Sequence, residues 1–389
     1  MIILDKPFVS NFLENTLIEM QVPVLKNTAI QDMKLNSKIN FMEESKFIEM
    51  LKKNPAQPLF SNSENSINWI NKNLDFMDLS EKINIFKDKV IFREKMQSYF
   101  PNFYFKQIKL SDLESLNLEE VPFPFIIKPS IGFFSLGVYV VQTREEWPII
   151  ISSIRAEMAN NKDVFPIEVV NSTNFIIEEM IEGDEYAVDV YFNEKGKPSI
   201  LNILKHYFAS PEDTSDRLYI TSKEIITQNR ETFLKTLQQI GEVTLIKNFP
   251  MHIEFRVDEK GKVGIIEANP MRFAGLCVTD LAYFAWGTNN YQMFFERNTP
   301  NWEQVTVGKE KKTYAMVVGD IPKEIKREDI ASIDYEKFAS KFTHPLEIRQ
   351  MDYRKFPLFA IAFVEFDEST KDEMLRILND DLIDCIILK

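Results

Sequence analysis

The chain has 389 residues, room for two or three domains at roughly 150 residues each. With 44% hydrophobic, 12% aromatic and 27% charged residues it is neither disordered nor fibrous. A balance of 46 basic against 59 acidic residues gives a net charge of −13, which repels polyanions and argues against a nucleic-acid binder.

Cys277 and Cys385, with three histidines, are too few for a disulfide framework or a four-thiolate metal site, so a reducing, cytoplasmic setting is expected. Met1 to Ser10 places an acid ahead of any basic region, and no run of about 18 apolar residues occurs, so neither a leader nor a membrane span is expected. The Lys309 to Lys312 cluster reads as a solvated linker.

In chain order, the region to about residue 85 shows short apolar runs, polar loops such as Ser61 to Ser66 and a helix candidate near Trp69, but no motif. A helix is expected over Lys87 to Phe100, stopped by Pro101. Phe123 to Lys128 reads as a short buried strand ending in lysine. The loop after it, to Gly137, holds Gly132, Ser135 and Gly137, whose backbone N–H groups suit phosphate oxygens or merely an ordinary turn.

Thr143 and Glu146 have the spacing of a capping box for a helix through Trp147, Ile150, Ile151, Ile154 and Met158. Ile176 to Tyr186 reads as a strand, an acidic hinge, a turn at Gly183 and a second strand; its bland alternative is an exposed acidic turn. Two hairpins follow, Ala187 to Phe192 with Ser199 to Lys205, and His252 to Val257 with Val263 to Ala268, separated by a helix over Arg230 to Lys247. From about Trp302 the pattern becomes a compact α+β tail, with strands at Tyr314 to Val318 and Leu358 to Phe366, a helix near Thr370 to Leu378 and a strand from Ile383 to Leu388.

Strand parity in the second hairpin puts His252, Glu254 and Arg256 on one face. On the partner strand it puts Val263, Ile265, Glu267 and Asn269 on a common face, so Glu254, Glu267 and Asn269 converge at one end. Two carboxylates and an amide oxygen are hard ligands of the kind Mg²⁺ takes. The alternative is that Glu254 pairs with Arg256 or Arg272 on a wet sheet face.

Taken in order, these features resemble the ATP-grasp superfamily over roughly Lys87 to Phe295. Phe-Pro-Phe-Ile-Ile-Lys128-Pro-Ser is similar to its lid-strand lysine motif, Phe175 to Glu185 to its hinge and ribose acid, and Met251 to Pro270 to the metal triad of the D-alanine:D-alanine ligase and carbamoyl phosphate synthetase type of site. The resemblance implies an α+β chain: a pre-ATP-grasp α/β domain over 1–85, a two-lobed core over 86–300 with its lid lobe at about 121–180, and a small α+β domain over 301–389.

It further implies that Lys128, Gly132, Ser135, Gly137 and, less closely matched, Lys89 and Lys205 contact phosphates. Glu178 would belong to the nucleotide site, Glu179 and Ile181 would hold adenine through their backbone, Glu185 the ribose, and Glu254, Glu267 and Asn269 the magnesium. Arg272 would act on the transferred phosphate or a substrate carboxylate, although it stands one place later than the arginine that often follows Asn-Pro. The implied activity is an ATP- and Mg²⁺-dependent carboxylate–amine ligase acting on small molecules, without nucleic acid or membrane and with homo-oligomers allowed. Its rival is an inactive nucleotide-binding regulatory protein of the same fold.

Overall fold

The computed structural model describes residues 1–389 except 32, 132–136, 161–173, 211, 212 and 214. The chain opens with β1 (Ile2–Ile3), α1 (Asn11–Met20), β2 (Val24–Leu25), β3 (Phe41–Met42), α2 (Glu44–Lys53) and β4 (Phe60–Ser61). These strands form a parallel sheet in the order β3-β2-β1-β4. Parallel strands are covered on both faces, so β1, β2 and β3 are apolar pairs with no alternation to read, and β4 is Phe60 followed by a buried Ser61; Ile2, Ile3, Val24 and Leu25 are wholly buried. Then come α3 (Ile67–Asn73), α4 (Leu79–Lys87) and α5 (Lys89–Met96). The helix expected over Lys87 to Phe100 is α5, shorter at both ends, because Asp88 ends α4 and caps α5 by accepting the Val90 N–H at 2.9 Å.

A second, antiparallel sheet contains β5 (Phe105–Lys109), β6 (Phe125–Pro129), β7 (Tyr139–Val141) and β8 (Asn174–Glu179) in the order β5-β8-β6-β7. It is covered by α6 (Trp147–Asn160), which buries Trp147, Ile151 and Ile154 beside Phe125 and Phe175. Neither half of the expected capping box closes on Thr143. Glu146 accepts the Gln142 N–H at 2.9 Å, whereas the Thr143 side chain caps nothing because residues Arg144–Glu146 take a tighter 3₁₀ turn before α6.

The remaining strands are β9 (Asp184–Phe192), β10 (Pro198–Tyr207), β11 (Leu218–Ser222), β12 (Phe249–Val257), β13 (Val263–Pro270), β14 (Thr313–Asp320), β15 (Ile330–Ile333), β16 (Pro345–Gln350), β17 (Leu358–Phe366) and β18 (Ile386–Leu388). Eight of them form one sheet, β13-β12-β9-β10-β11-β14-β17-β16, which runs across residue 300, and β15 pairs with β18. Helix α7 (Lys223–Thr244) covers one face, with Phe233 stacked on Phe255 at 4.7 Å between ring centres. It begins well before Arg230 because Ser222, the last residue of β11, caps it by accepting the Ile225 N–H at 3.2 Å. At the C-terminus, Ile383–Cys385 form a 3₁₀ turn, so the last strand starts only at Ile386.

Parity in β13 is broken by a bulge. Glu254 pairs with Glu267, yet Phe255 pairs with Ile265, leaving Ile266 as the extra residue. Val263 and Ile265 therefore turn to the buried face with Val257 and Phe255, while Glu267 and Asn269 lie on the other face with Glu254 and His252. The expectation that Val263, Ile265, Glu267 and Asn269 share a face fails for this reason. The convergence of Glu254, Glu267 and Asn269 holds.

Candidate nucleotide and metal site

The face of the large sheet away from α7 carries three lateral rows of paired residues: Asn202, Asp189, His252 and Asn269; Ala187, Glu254 and Glu267; His206, Glu185, Arg256 and Gly264. In the middle row two carboxylates face each other. Burial pushes the Glu254 carboxyl above its ordinary range, and the facing Glu267 adds to the shift. Burial also acts to raise Glu267, but Lys89, the Asn269 amide, Lys128 and Arg272 together hold it below its ordinary value. The Asn269 amide donates to Glu267 Oε1 at 3.1 Å, and Lys89 Nζ stands 3.9 Å from Glu267 Oε2. Beside this row, His252 Nδ1 lies 3.0 Å from Asp189 Oδ1 and Nε2 lies 3.5 Å from Glu254. Against burial, those two acids raise the imidazole to about 9.

Lys128 and Glu178 meet because β6 and β8 are neighbours, with Lys128 paired to Ile176, two residues from Glu178 and on its face. Lys128 Nζ is 2.6 Å from Glu178, and Arg93 Nε is 2.5 Å from the other oxygen. Against the upward push of burial, Arg93 and Lys128 bring the Glu178 carboxyl down to about 2. Its stabilising effect is complete above the ordinary value of 4.5 and is lost as pH falls toward about 2. Melting curves should therefore show wild type losing stability over that interval relative to Glu178→Gln; parallel pH profiles would reject the pairing.

Arg93 was not singled out in the sequence. Its signal is helical spacing: it follows Lys89 by four residues on α5, which places both on one face. Its Nη2 also donates to the carbonyl of Ile266 at 3.4 Å, so the bulged residue of β13 is tied to the same cluster. Burial lowers the Lys89 ammonium, and nearby Lys128 and Lys87 add to the shift against Glu267. The Lys89 N–H donates to the Ser130 carbonyl at 2.9 Å, joining α5 to the loop after β6. Gly132 and Ser135 lie outside the described residues; Gly137 is described, in a left-handed conformation at φ 72°.

The hinge residues lie between β8 and β9 or at their ends, with partners of their own. Glu179 exchanges bonds with Tyr104, its N–H donating to the carbonyl and its carboxylate accepting the Tyr104 N–H, both at 3.0 Å. Among the described residues the Ile181 N–H has no partner, while its carbonyl accepts Arg256 Nη1 at 2.9 Å. Both Glu185 oxygens are engaged, one 3.0 Å from His206 Nδ1 and the other accepting Arg256 Nη2 at 3.0 Å. These contacts hold the carboxyl below its ordinary range despite burial.

Close backbone approach fixes this hinge. Gly183 has φ 108°, and a Cβ on it would stand 2.1 Å from the Val257 carbonyl oxygen. Gly183→Ala is expected to lower the melting temperature by several degrees, since φ strain and the clash together exceed about 1 kcal/mol. An unchanged melting curve would show that the hinge can move away.

Lys205 is not brought to this site. It pairs with Tyr186 on the other face of the sheet, its Nζ 2.6 Å from Asp184 and 5.1 Å from the Tyr207 ring centre. One step of strand parity separates it from His206, which occupies the site face instead.

Arg272 also has a partner of its own. The chain bends at Met271, φ 68°, whose N–H donates to Pro250 O at 2.9 Å and whose carbonyl accepts the Ser61 N–H at 2.8 Å. The bend directs Arg272 to Glu64 of the N-terminal region, with Nη2 3.3 Å from Oε1. Glu64 is paired with Lys87 as well. Neither Glu64 nor Lys87 is singled out as a site residue by the sequence.

Residues 121–280 match the family model of the ATP-grasp domain. L-amino acid ligase from Bacillus licheniformis superposes with TM-score 0.69 at 16% identity, covering 100% of this chain and 98% of that one. The biotin carboxylase domain dimer of 2-oxoglutarate carboxylase from Hydrogenobacter thermophilus, a complex with MgADP, ADP and bicarbonate, gives 0.62 at 12% identity over 100% and 90%. Phosphoribosylglycinamide synthetase from Anaerococcus prevotii gives 0.63 at 15% identity over 100% and 99%. Among curated protein sequences no match is found. Over residues 121–280 the chain thus matches the ATP-grasp domain, and its α+β fold as a whole is shared with these solved enzymes.

Among the described residues no group of three or more His, Cys, Asp and Glu side chains is placed to hold a metal, and no helix is long and apolar enough to cross a membrane. The candidate metal set is of another composition, two carboxylates and one amide.

Proposed function

We propose that this chain is an ATP-dependent carboxylate–amine ligase working on small molecules in the cytoplasm. In the proposed reaction a carboxylate oxygen of one substrate attacks the γ-phosphorus of ATP, giving an acyl phosphate and ADP. The nitrogen of an amine then attacks the acyl carbon, the amide forms, and inorganic phosphate leaves with the proton shed by nitrogen. The observation that carries the reading is the facing pair Glu254 and Glu267 beside Asn269, Lys89 and Arg272. Opposed carboxylates at the edge of a lysine cluster match a cation and a polyphosphate better than they match each other.

The donor chemistry fits Mg²⁺, which Glu254, Glu267 and Asn269 would hold with their oxygens. When bound, the ion would neutralise charge on the transferred phosphoryl group. Lys89 and Lys128 would bind phosphate oxygens, the Ile181 N–H would read the adenine edge, and Glu185, positioned by Arg256 and His206, would accept from ribose. The three candidate metal ligands favour this reading over a regulatory nucleotide binder, which has no need of the whole set.

The test is ADP release from MgATP with a panel of amino acids and small carboxylates, with hydroxylamine added to trap the acyl phosphate as a hydroxamate. No hydroxamate from any member of the panel would reject the ligase.

For Arg272, a fork of donors can hold Glu64 and a substrate carboxylate or phosphate at once, which a point charge cannot. Arg272→Lys is expected to keep ATP affinity within about threefold and lower product formation by at least about tenfold. Full product formation would leave Arg272 as a tie between the core and the N-terminal region.

A further inference from the structure

At the C-terminal ends of β1, β2 and β4 a cavity of about 600 Å³ opens, lined by Asp5, Lys6, Thr28, Glu64, Asn68 and Lys87 among others. Its volume is in the range of small-molecule sites, and the carboxyl ends of parallel strands are where open α/β sheets place ligands.

The cavity adjoins the site described above through Glu64. This carboxylate lines the cavity and accepts from Arg272, which acts on Glu267, while Lys87, also in the lining, lies two residues before Lys89. Glu64 thus stands between two cations, Lys87 and Arg272, so this end is rich in positive charge. At the other end Asp5 stands with Lys6 beside it in the lining. The half-buried Asp5 carboxylate accepts only the Lys6 backbone N–H, at 2.7 Å, and forms no ion pair among the described residues. Burial pushes Asp5 above its ordinary range even though the Lys6 N–H and ammonium act downward. The four charged lining side chains, Asp5 and Glu64 against Lys6 and Lys87, sum to zero.

We infer that this cavity holds the carboxylate substrate of the proposed ligase and that this substrate is a small zwitterion, its ammonium at Asp5 and its carboxylate toward Lys87 and Arg272. The inference rests on the ligase reading, because the carboxylate end lies on the side of Glu267. A polyanion would meet Asp5 and Glu64 without enough cations, and an apolar acid would bring Asp5 no cation beyond the neighbouring Lys6.

The test measures binding of the twenty free amino acids to the full chain by ligand-observed NMR, with N-acetyl and carboxamide forms of each binder as controls. At least one free amino acid should bind, both blocked forms should bind at least about tenfold more weakly, and Asp5→Asn should weaken the free form by a similar factor. Thr28→Trp, at an exposed position in the lining, should narrow the cavity and lower binding in the same way without removing a charge. The absence of any binder in wild type would overturn the assignment, as would equal binding of the blocked forms or full affinity in both variants. The two readings fail separately. A hydroxamate formed only from carboxylates without an amine refutes the zwitterion and keeps the ligase; a bound amino acid that yields no hydroxamate with MgATP keeps the cavity and refutes the ligase.

Discussion

Glu267→Gln is expected to lower ATP-dependent product formation by more than about 100-fold, beyond the range typical of groups that only support a metal ligand. The substitution keeps the shape of the side chain and removes one of the two charges facing each other across β12 and β13. Nucleotide affinity should move the other way or not at all. Glu267 offsets the positive field of Lys89, 3.9 Å away, and of Lys128, so its neutralisation leaves the lysines more attractive to phosphates. ADP binding and turnover measured on one preparation separate the effects. Unchanged turnover would sink the metal assignment, and a parallel collapse of both would point to a damaged sheet.

Lys128→Met should cost ATP affinity on the order of 1.5–3 kcal/mol, about 10- to 150-fold, with a smaller loss for adenosine. Here the protein's own ion pair must be separated from its ligand contacts. Lys128 is buried and shares Glu178 with Arg93, so its removal leaves that carboxylate with a single cation. Breaking a buried pair is strongly destabilising, and the variant should also melt at a lower temperature. Glu178→Gln is the control: it loosens the same cluster while leaving Lys128 in place to meet phosphate. Equal losses of ATP and adenosine in Lys128→Met would mean that the lid sheet had shifted and that no phosphate contact had been measured.

The sequence made the strands and hairpins of this site legible because they obey local rules. Lys128 ends an apolar run, Gly183 marks a turn, and Glu254 and Glu267 sit in a hairpin closed by Asp258 to Gly261. The bulge at Ile266 was invisible, since one unpaired residue leaves no mark on a period of two, and it reversed the faces of Val263 and Ile265. A single step of parity likewise separated Lys205 from His206. Ion pairs were the least legible. Arg93 meets Glu178 85 residues away and Arg272 meets Glu64 at a separation of 208, distances over which no local pattern operates. The N-terminal parallel sheet escaped for a different reason: its strands are two residues long, too short to show any period.

The sheet that runs across residue 300 also sets an order of events for chain assembly. Strand β11, buried along its whole length, is hydrogen-bonded on one side to β10 and on the other to β14. While a ribosome is still making the segment before β14, the nascent chain holds β11 as an open edge, apolar over Leu218 to Ile220 and with unpaired N–H and C=O groups, the kind of surface that recruits other chains. A truncated protein ending at residue 300 would keep that edge permanently, and its solubility would depend on what else covers the strand.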